Sequence, residues 1–217
     1  MVNAVIASMR RWYPLILLVL AGAASLAAWS ALPASMAVHW DLNGNASGWI
    51  PRSAGAALLP AMIALLWAAL RAAGARVAPA NGSAAMQERL SAGLLVMLFA
   101  THLMVLAVNL GVRIPMERAP LLIVGALFIV IGRALPLATV GSALGLRTPW
   151  TLSSARVWMR THLLAGQVMT ACGAAMLVAA VVLPADLAMP VMVAAIVVAA
   201  VAPAAYSWLT WTRKSRQ

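Results

Sequence analysis

Carboxylates are almost missing from this chain. Asp and Glu together number 4 against 15 Lys and Arg, and cysteine occurs once. The single Cys172, set in an apolar run, excludes a disulfide framework and a cysteine-rich metal site. Charged residues make up 9% of the chain and hydrophobic residues 65%, which excludes a water-soluble domain, since its surface would need far more charge. There is no HExxH, no glycine-rich phosphate loop and no serine nucleophile elbow, so no enzyme activity, cofactor or metal is expected. No acid is centred in any apolar run, which deprives an ion-coupled transporter of its usual carrier and an intramembrane hydrolase of its acid.

What fills the chain instead is a series of apolar runs of the length that spans a bilayer as helix, about 17 to 25 residues. Six spans are predicted: Pro14 to Leu32, Ser53 to Leu70, Leu90 to Val112, Ala119 to about Ala138, Thr161 to Leu183 and Leu187 to Trp211. The expected fold is an all-α, polytopic membrane bundle, with one three-helix half in 1–112 and another in 113–217. Arg10 and Arg11 before the first run, with "ALPASMA" after it, resemble a secretory signal. The run is long for a signal core, so an uncleaved first helix is expected.

Tryptophans at 12, 29, 40, 49, 67, 150, 158, 208 and 211 fall mostly near span ends, where amphipathic rings prefer to sit. Placing the N-terminus in the cytoplasm puts Arg10, Arg11, Arg71, Arg76, Arg89, Arg133, Arg147, Arg156, Arg160, Arg213, Lys214 and Arg216 inside. Only Arg52, Arg113 and Arg118 then fall outside. This positive-inside bias predicts cytoplasmic termini and a cytoplasmic connector over 139–160. The net charge of +11 is read as loops facing anionic lipid rather than as nucleic-acid binding.

Two connectors carry pattern. The first, "LPASMAVHWDLNGNASGWIPRS", lies on the predicted outer side, where Asn43, Gly44, Asn45 and Gly48 supply turn chemistry. "DLNGN" resembles the start of a calcium loop, but Ala46 stands where glycine is needed and Arg52 where the bidentate acid belongs. His39 and Asp41 lie two apart, consistent with a structural hydrogen bond. Trp40 and Trp49 flank the turn.

The second, "GLRTPWTLSSARVWMRTHLLAG", gathers three arginines, two tryptophans, a proline and a histidine. Thr148 before Pro149 is biased to extended backbone, Trp150 suits the headgroup level, and Thr151 or Ser153 is a candidate helix cap. Arg156 three residues after Ser153 gives no capping box. Arg156 and Arg160 share one helix face, and Trp158 and His162 another. Two readings stand side by side: a basic, amphipathic lead-in to the fifth span, anchored on anionic lipid, or a partner-binding site.

Read together, these two stretches resemble the SdpI family of bacterial membrane proteins. Arg147, Thr148, Pro149, Trp150, Thr151, Leu152, Ser153, Val157, Trp158, Thr161, His162 and Gly166 fall on that family's cytoplasmic signature. Pro33, His39, Trp40, Asp41, Gly44, Gly48 and Trp49 fall on the outer loop of the domain of unknown function that usually forms its N-terminal half. The family pattern has asparagine where Arg133 stands. The resemblance implies a multi-pass protein of the bacterial cytoplasmic membrane that gives tolerance to a membrane-active peptide toxin and retains a small transcriptional repressor. It points to the outer loop for the toxin and to the 147–166 connector for the repressor. The alternative is a small-solute or lipid transporter, or an envelope scaffold.

A few polar groups remain. His102 and Asn109, seven apart on the third span, share a helical face and are read either as a functional site or as interhelical glue. Gly141 and Gly145 form a small-xxx-small pair expected to let a helix approach closely. Arg133 is expected to snorkel to the interface or pair with Glu88.

Overall fold

The computed structural model describes the backbone of residues 2–76, 84–142 and 144–214, and side chains within 12–72, 85–142 and 144–212. Helix dominates because a backbone in hydrocarbon must satisfy its N–H and C=O groups within the segment. The elements are α1 (Val2–Ala28), β1 (Ser35–Trp40), β2 (Ala46–Pro51), α2 (Arg52–Arg76), α3 (Ala84–Asn109), α4 (Ala119–Ala134), α5 (Pro149–Leu152), α6 (Ala155–Val182) and α7 (Ala188–Lys214). Five of the helices contain stretches long and apolar enough to cross a membrane: 52–72, 85–109, 119–137, 155–182 and 185–212. A shorter apolar helix covers Trp12–Ala28. The chain is thus a multi-pass membrane protein of helical type. Its first apolar helix ends before Leu32, because residues 29–32 turn out of α1 toward a β-hairpin. That hairpin is the departure from the all-helical expectation.

Two compact units are formed, the first from Met1–Arg76 and Ser91–Glu117, the second from Val77–Leu90 and Arg118–Gln217. In the first, Ala21, Ile63 and Leu95 form one buried cluster. Leu32, Met36, Ala56, Val105 and Leu106 form another beneath the hairpin. Pro60 lies inside α2. It brings no N–H, so the carbonyl four residues earlier, at Ala56, loses its helical partner. The Ser25 hydroxyl of α1 donates to that carbonyl at 2.8 Å. A neighbouring helix thereby repairs the break, as membrane helices with internal proline require. Arg52 donates to the Trp29 carbonyl at 2.9 Å and lies 5.5 Å from the Trp29 ring centroid, placing a cation on a carbonyl left free at the end of α1.

In the second unit α4 and α6 run antiparallel on a glycine seam. Gly125 meets Gly173 and Gly132 meets Gly166: a Cβ at Gly132 would lie 2.7 Å from the Gly166 carbonyl, and one at Gly166 2.6 Å from that of Gly132. The seven-residue spacing in both helices keeps both pairs on the contact face. Gly141 and Gly145 do not pack helices. Both sit in the loop after α4 with φ of 78° and 132°, conformations that suit turns. Arg118 donates to the Ala180 carbonyl in the last turn of α6 at 3.0 Å, so it does for α6 what Arg52 does for α1. The Arg133 side chain is exposed, and its carbonyl accepts from Arg89 at 3.3 Å.

Candidate functional site

The hairpin of the first unit pairs β1 and β2 antiparallel, with Met36 opposite Ile50, Ala37 opposite Trp49, His39 opposite Gly48 and Trp40 opposite Ala46. Register shifts on either side of His39 mark bulges. One side faces the helices: Met36 is fully buried, and Trp40 packs on the same cluster. The other side leaves Ser35, His39, Ser47, Trp49 and Pro51 exposed, with Trp49 at 57% and Leu42 in the turn at 70%.

Both edges of this two-stranded sheet are blunted. On β1, the Asn109 amide imitates a third strand, its Oδ1 accepting from the Ala37 N–H at 2.8 Å and its Nδ2 donating to the Ala37 carbonyl at 2.9 Å. On β2, Pro51 offers no N–H and a bulge interrupts the ladder, both of which discourage strand addition. The free part of the hairpin is therefore its side-chain face.

The turn explains "DLNGN". Asp41 Oδ1 accepts from the backbone N–H groups of Asn43 (2.9 Å) and Asn45 (2.8 Å), and Oδ2 lies 3.4 Å from Asn45 Nδ2. The Asn45 backbone N–H is the main cause holding the Asp41 carboxyl below its usual range. Both oxygens serve the turn itself. Gly44, at φ 80°, lies against Glu117, and a Cβ there would come within 2.7 Å of Glu117 Oε2. His39 does not bond Asp41; its Nδ1 pairs with Ser47 Oγ at 2.7 Å. Pro33 is exposed just before β1, next to the buried Leu32.

His102 and Asn109 act as ties within this unit. With the Ser25 proton committed to Ala56, His102 Nε2–H donates to Ser25 Oγ (3.0 Å) and to the Ala21 carbonyl (3.1 Å). Its Nδ1 is buried and without a partner among the described residues.

The connector in the second unit is built differently, with Thr151, Trp158, Thr161 and His162 of its signature turned inward. Thr148 caps the short helix α5, and Pro149 occupies the first turn, where a missing N–H costs nothing. Thr151 completes a reciprocal cap. Its N–H donates to Thr148 Oγ1 at 3.2 Å, and its Oγ1 accepts from the Thr148 N–H at 2.9 Å. Sequence reasoning missed this box because threonine stands where glutamate or glutamine usually does. Thr151 Oγ1 also lies 2.8 Å from the Leu146 carbonyl.

The Leu146 N–H donates to His162 Nε2 at 2.9 Å, which leaves Nδ1–H to donate to the Trp158 carbonyl at 2.8 Å. This fixes a neutral imidazole with the proton on Nδ1. Trp158 stacks on His162, centroids 4.2 Å apart, and its Nε1–H donates to the Ala138 carbonyl at 2.9 Å. Gly145 is needed where the loop crosses the imidazole, since a Cβ there would overlap His162 Nε2. Arg147 donates to the Gly141 and Ser142 carbonyls. Trp150 donates to Ser207 Oγ on α7 and packs edge-on against Trp208 at 5.2 Å.

Thr151, Trp158, Thr161 and His162 are thus at most 1% exposed, and Gly166 is buried in the glycine seam. The Thr161 hydroxyl has no partner among the described residues. What faces outward is a rim: Arg147, Pro149, Leu152 and Ser153, with Trp150 half-buried.

Residues 139–207 match the SdpI/YfhL protein family, and residues 16–64 match a domain of unknown function, DUF1648. The Immunity protein SdpI of Bacillus subtilis (strain 168) is 34% identical over 83 residues, covering 38% of this chain and 40% of that protein. The matched stretch therefore spans less than half of the curated relative. No solved structure matches the chain.

Proposed function

Because the chain belongs to the SdpI family, we propose that it is a non-enzymatic immunity protein of the bacterial cytoplasmic membrane, giving tolerance to a membrane-active peptide toxin. In this reading six helices cross the bilayer, both termini lie in the cytoplasm, the hairpin faces outward and the connector faces inward. Support for the activity comes from the name of the relative, an immunity protein. Support for the place comes from the hairpin, whose edges are blunted while Trp49 and Leu42 stay exposed beside a turn rigidified by Asp41. An exposed aromatic on a rigid platform is a suitable anchor for an apolar peptide. The outward rim of the connector, Arg147 with Leu152 and Ser153, is the face offered to a small repressor.

The test is survival of a sensitive strain expressing the chain and challenged with membrane-active peptides, with Trp49→Ala beside the parent. The parent is expected to protect, and the variant to lose protection at an unchanged level in the membrane. Protection that survives Trp49→Ala removes the hairpin from the mechanism. No protection by the folded, inserted parent removes the immunity reading.

A further inference from the structure

Two guanidiniums stand one turn apart on the exposed side of α6. Arg156 and Arg160 are exposed, and no hydrogen bond or ion pair among the described residues engages either of them. Arg156, Met159, Arg160 and Leu163 follow the i, i+3, i+4, i+7 spacing of a single helix face. Met159 is 60% and Leu163 52% exposed.

The surroundings are strongly of one sign. From Arg118 to Ala185 the chain contains no carboxylate. Arg89 reaches the Arg133 carbonyl and Arg147 the Gly141 and Ser142 carbonyls. The antiparallel seam, Gly132 against Gly166, sets the end of α4 beside the first half of α6. Five arginines, at 89, 133, 147, 156 and 160, therefore gather at one end of the second unit with Glu88 as its carboxylate. Asp186 lies beyond the far end of the 28-residue α6.

An acidic soluble partner would match the charge but not the apolar strip that continues it. Beyond Gln167, which shares the face and is exposed, the apolar surface resumes at Val178 and Val181, 59% and 74% exposed, along a helix long enough to cross a membrane. A molecule with an anionic head and a hydrocarbon tail matches both. We propose that this face binds an anionic phospholipid, Arg156 and Arg160 holding its phosphate and Met159 and Leu163 lining one acyl chain. Guanidinium suits the head because its planar donors fit phosphate oxygens and it is weakly hydrated. The site does not depend on the immunity reading.

The experiment uses the full chain, purified in a neutral detergent. It is titrated with dioleoyl phosphatidylglycerol, with dioleoyl phosphatidylcholine and with inorganic phosphate, while melting temperature and bound lipid by native mass spectrometry are followed. Phosphatidylglycerol is expected to bind and raise the melting temperature; the other two are not. Arg156→Gln with Arg160→Gln is expected to lose roughly tenfold or more in affinity for phosphatidylglycerol while melting like the parent without lipid. Arg156→Lys with Arg160→Lys, which keeps the charge but loses the planar fork, is expected to fall between the parent and the glutamine pair. Equal binding by the parent and the glutamine pair overturns the proposal, as does equal binding of the two lipids. A response to phosphate alone equal to that with phosphatidylglycerol does the same. Should the glutamine pair fail to fold, the parent decides: a preference for phosphatidylglycerol that persists at about 1 M salt also overturns it.

Discussion

The hairpin and the connector are the two patterned stretches of the chain, and the structure uses them in opposite ways. In the hairpin the polar groups look after the loop itself: Asp41 closes its turn, His39 pairs with Ser47, and one apolar face stays open around Trp49. In the connector the distinctive side chains are consumed internally: Thr151, Trp158 and His162 tie a glycine loop to α6, and Trp150 ties it to α7. A residue pattern that stands out in a sequence can therefore mark either a clamp or a platform. Burial is what separates them. Binding is to be sought on the hairpin's outer face and the connector's rim, and stability in the connector's interior.

The largest effect expected from that contrast is at Trp158. Its side chain is fully buried, stacks on His162 and donates to Ala138, so Trp158→Ala leaves a cavity and an unpaired carbonyl. A loss of about 3–5 kcal/mol is expected, read as a lower melting temperature of the detergent-purified chain. By contrast, Trp49→Ala is expected to leave the melting temperature nearly unchanged, since an exposed ring has little packing to lose. If both variants melted alike, the division into clamp and platform would be lost.

The helices were legible because each apolar run is long and uninterrupted, and a bilayer leaves such a run no other option. The hairpin strands were not: six-residue stretches flanking a turn are short, and β1 owes its stability to Asn109, 72 residues away. Asn109 itself stood out as a lone polar group, but its partner is a backbone edge that no local pattern reveals. The glycine seam was likewise hidden, because Gly125, Gly132, Gly166 and Gly173 acquire meaning only once two helices are set antiparallel. Gly141 and Gly145 drew attention through four-residue spacing, which means nothing outside a helix. The capping role of Thr148 escaped because the reciprocal partner is threonine.

Asn109 supplies a middle-sized test on the hairpin side. Asn109→Leu removes the amide that satisfies both backbone groups of Ala37 and adds an apolar side chain of similar size. Leaving that N–H and C=O unpaired should cost about 1–3 kcal/mol. The damage is expected to stay local: amide exchange accelerates across Met36 to Val38 while the connector's protected amides keep their rates. If the connector's exchange rose equally, the hairpin would be part of a wider cooperative unit rather than a platform fixed at one point.

The smallest effect concerns Asp41, and its sign follows from the turn. Its carboxylate accepts from the Asn45 and Asn43 N–H groups, which holds its folded pKa below the ordinary value of 3.8. A group lowered on folding lends stability above its unfolded pKa and withdraws it as the pH falls through the folded pKa. The turn should therefore be indifferent to pH near neutrality and loosen only in acid, below about 4. Asp41→Asn keeps an oxygen acceptor but no charge, so its turn should exchange amides somewhat faster at neutral pH and show a weaker response to acid. Hydrogen exchange of Asn43 and Asn45 from pH 7 to pH 3, corrected for the intrinsic rate, reads this directly. An acid-induced loosening of the same size in parent and variant would move the cause away from Asp41. Glu117, packed against Gly44, would then be the carboxylate to substitute next.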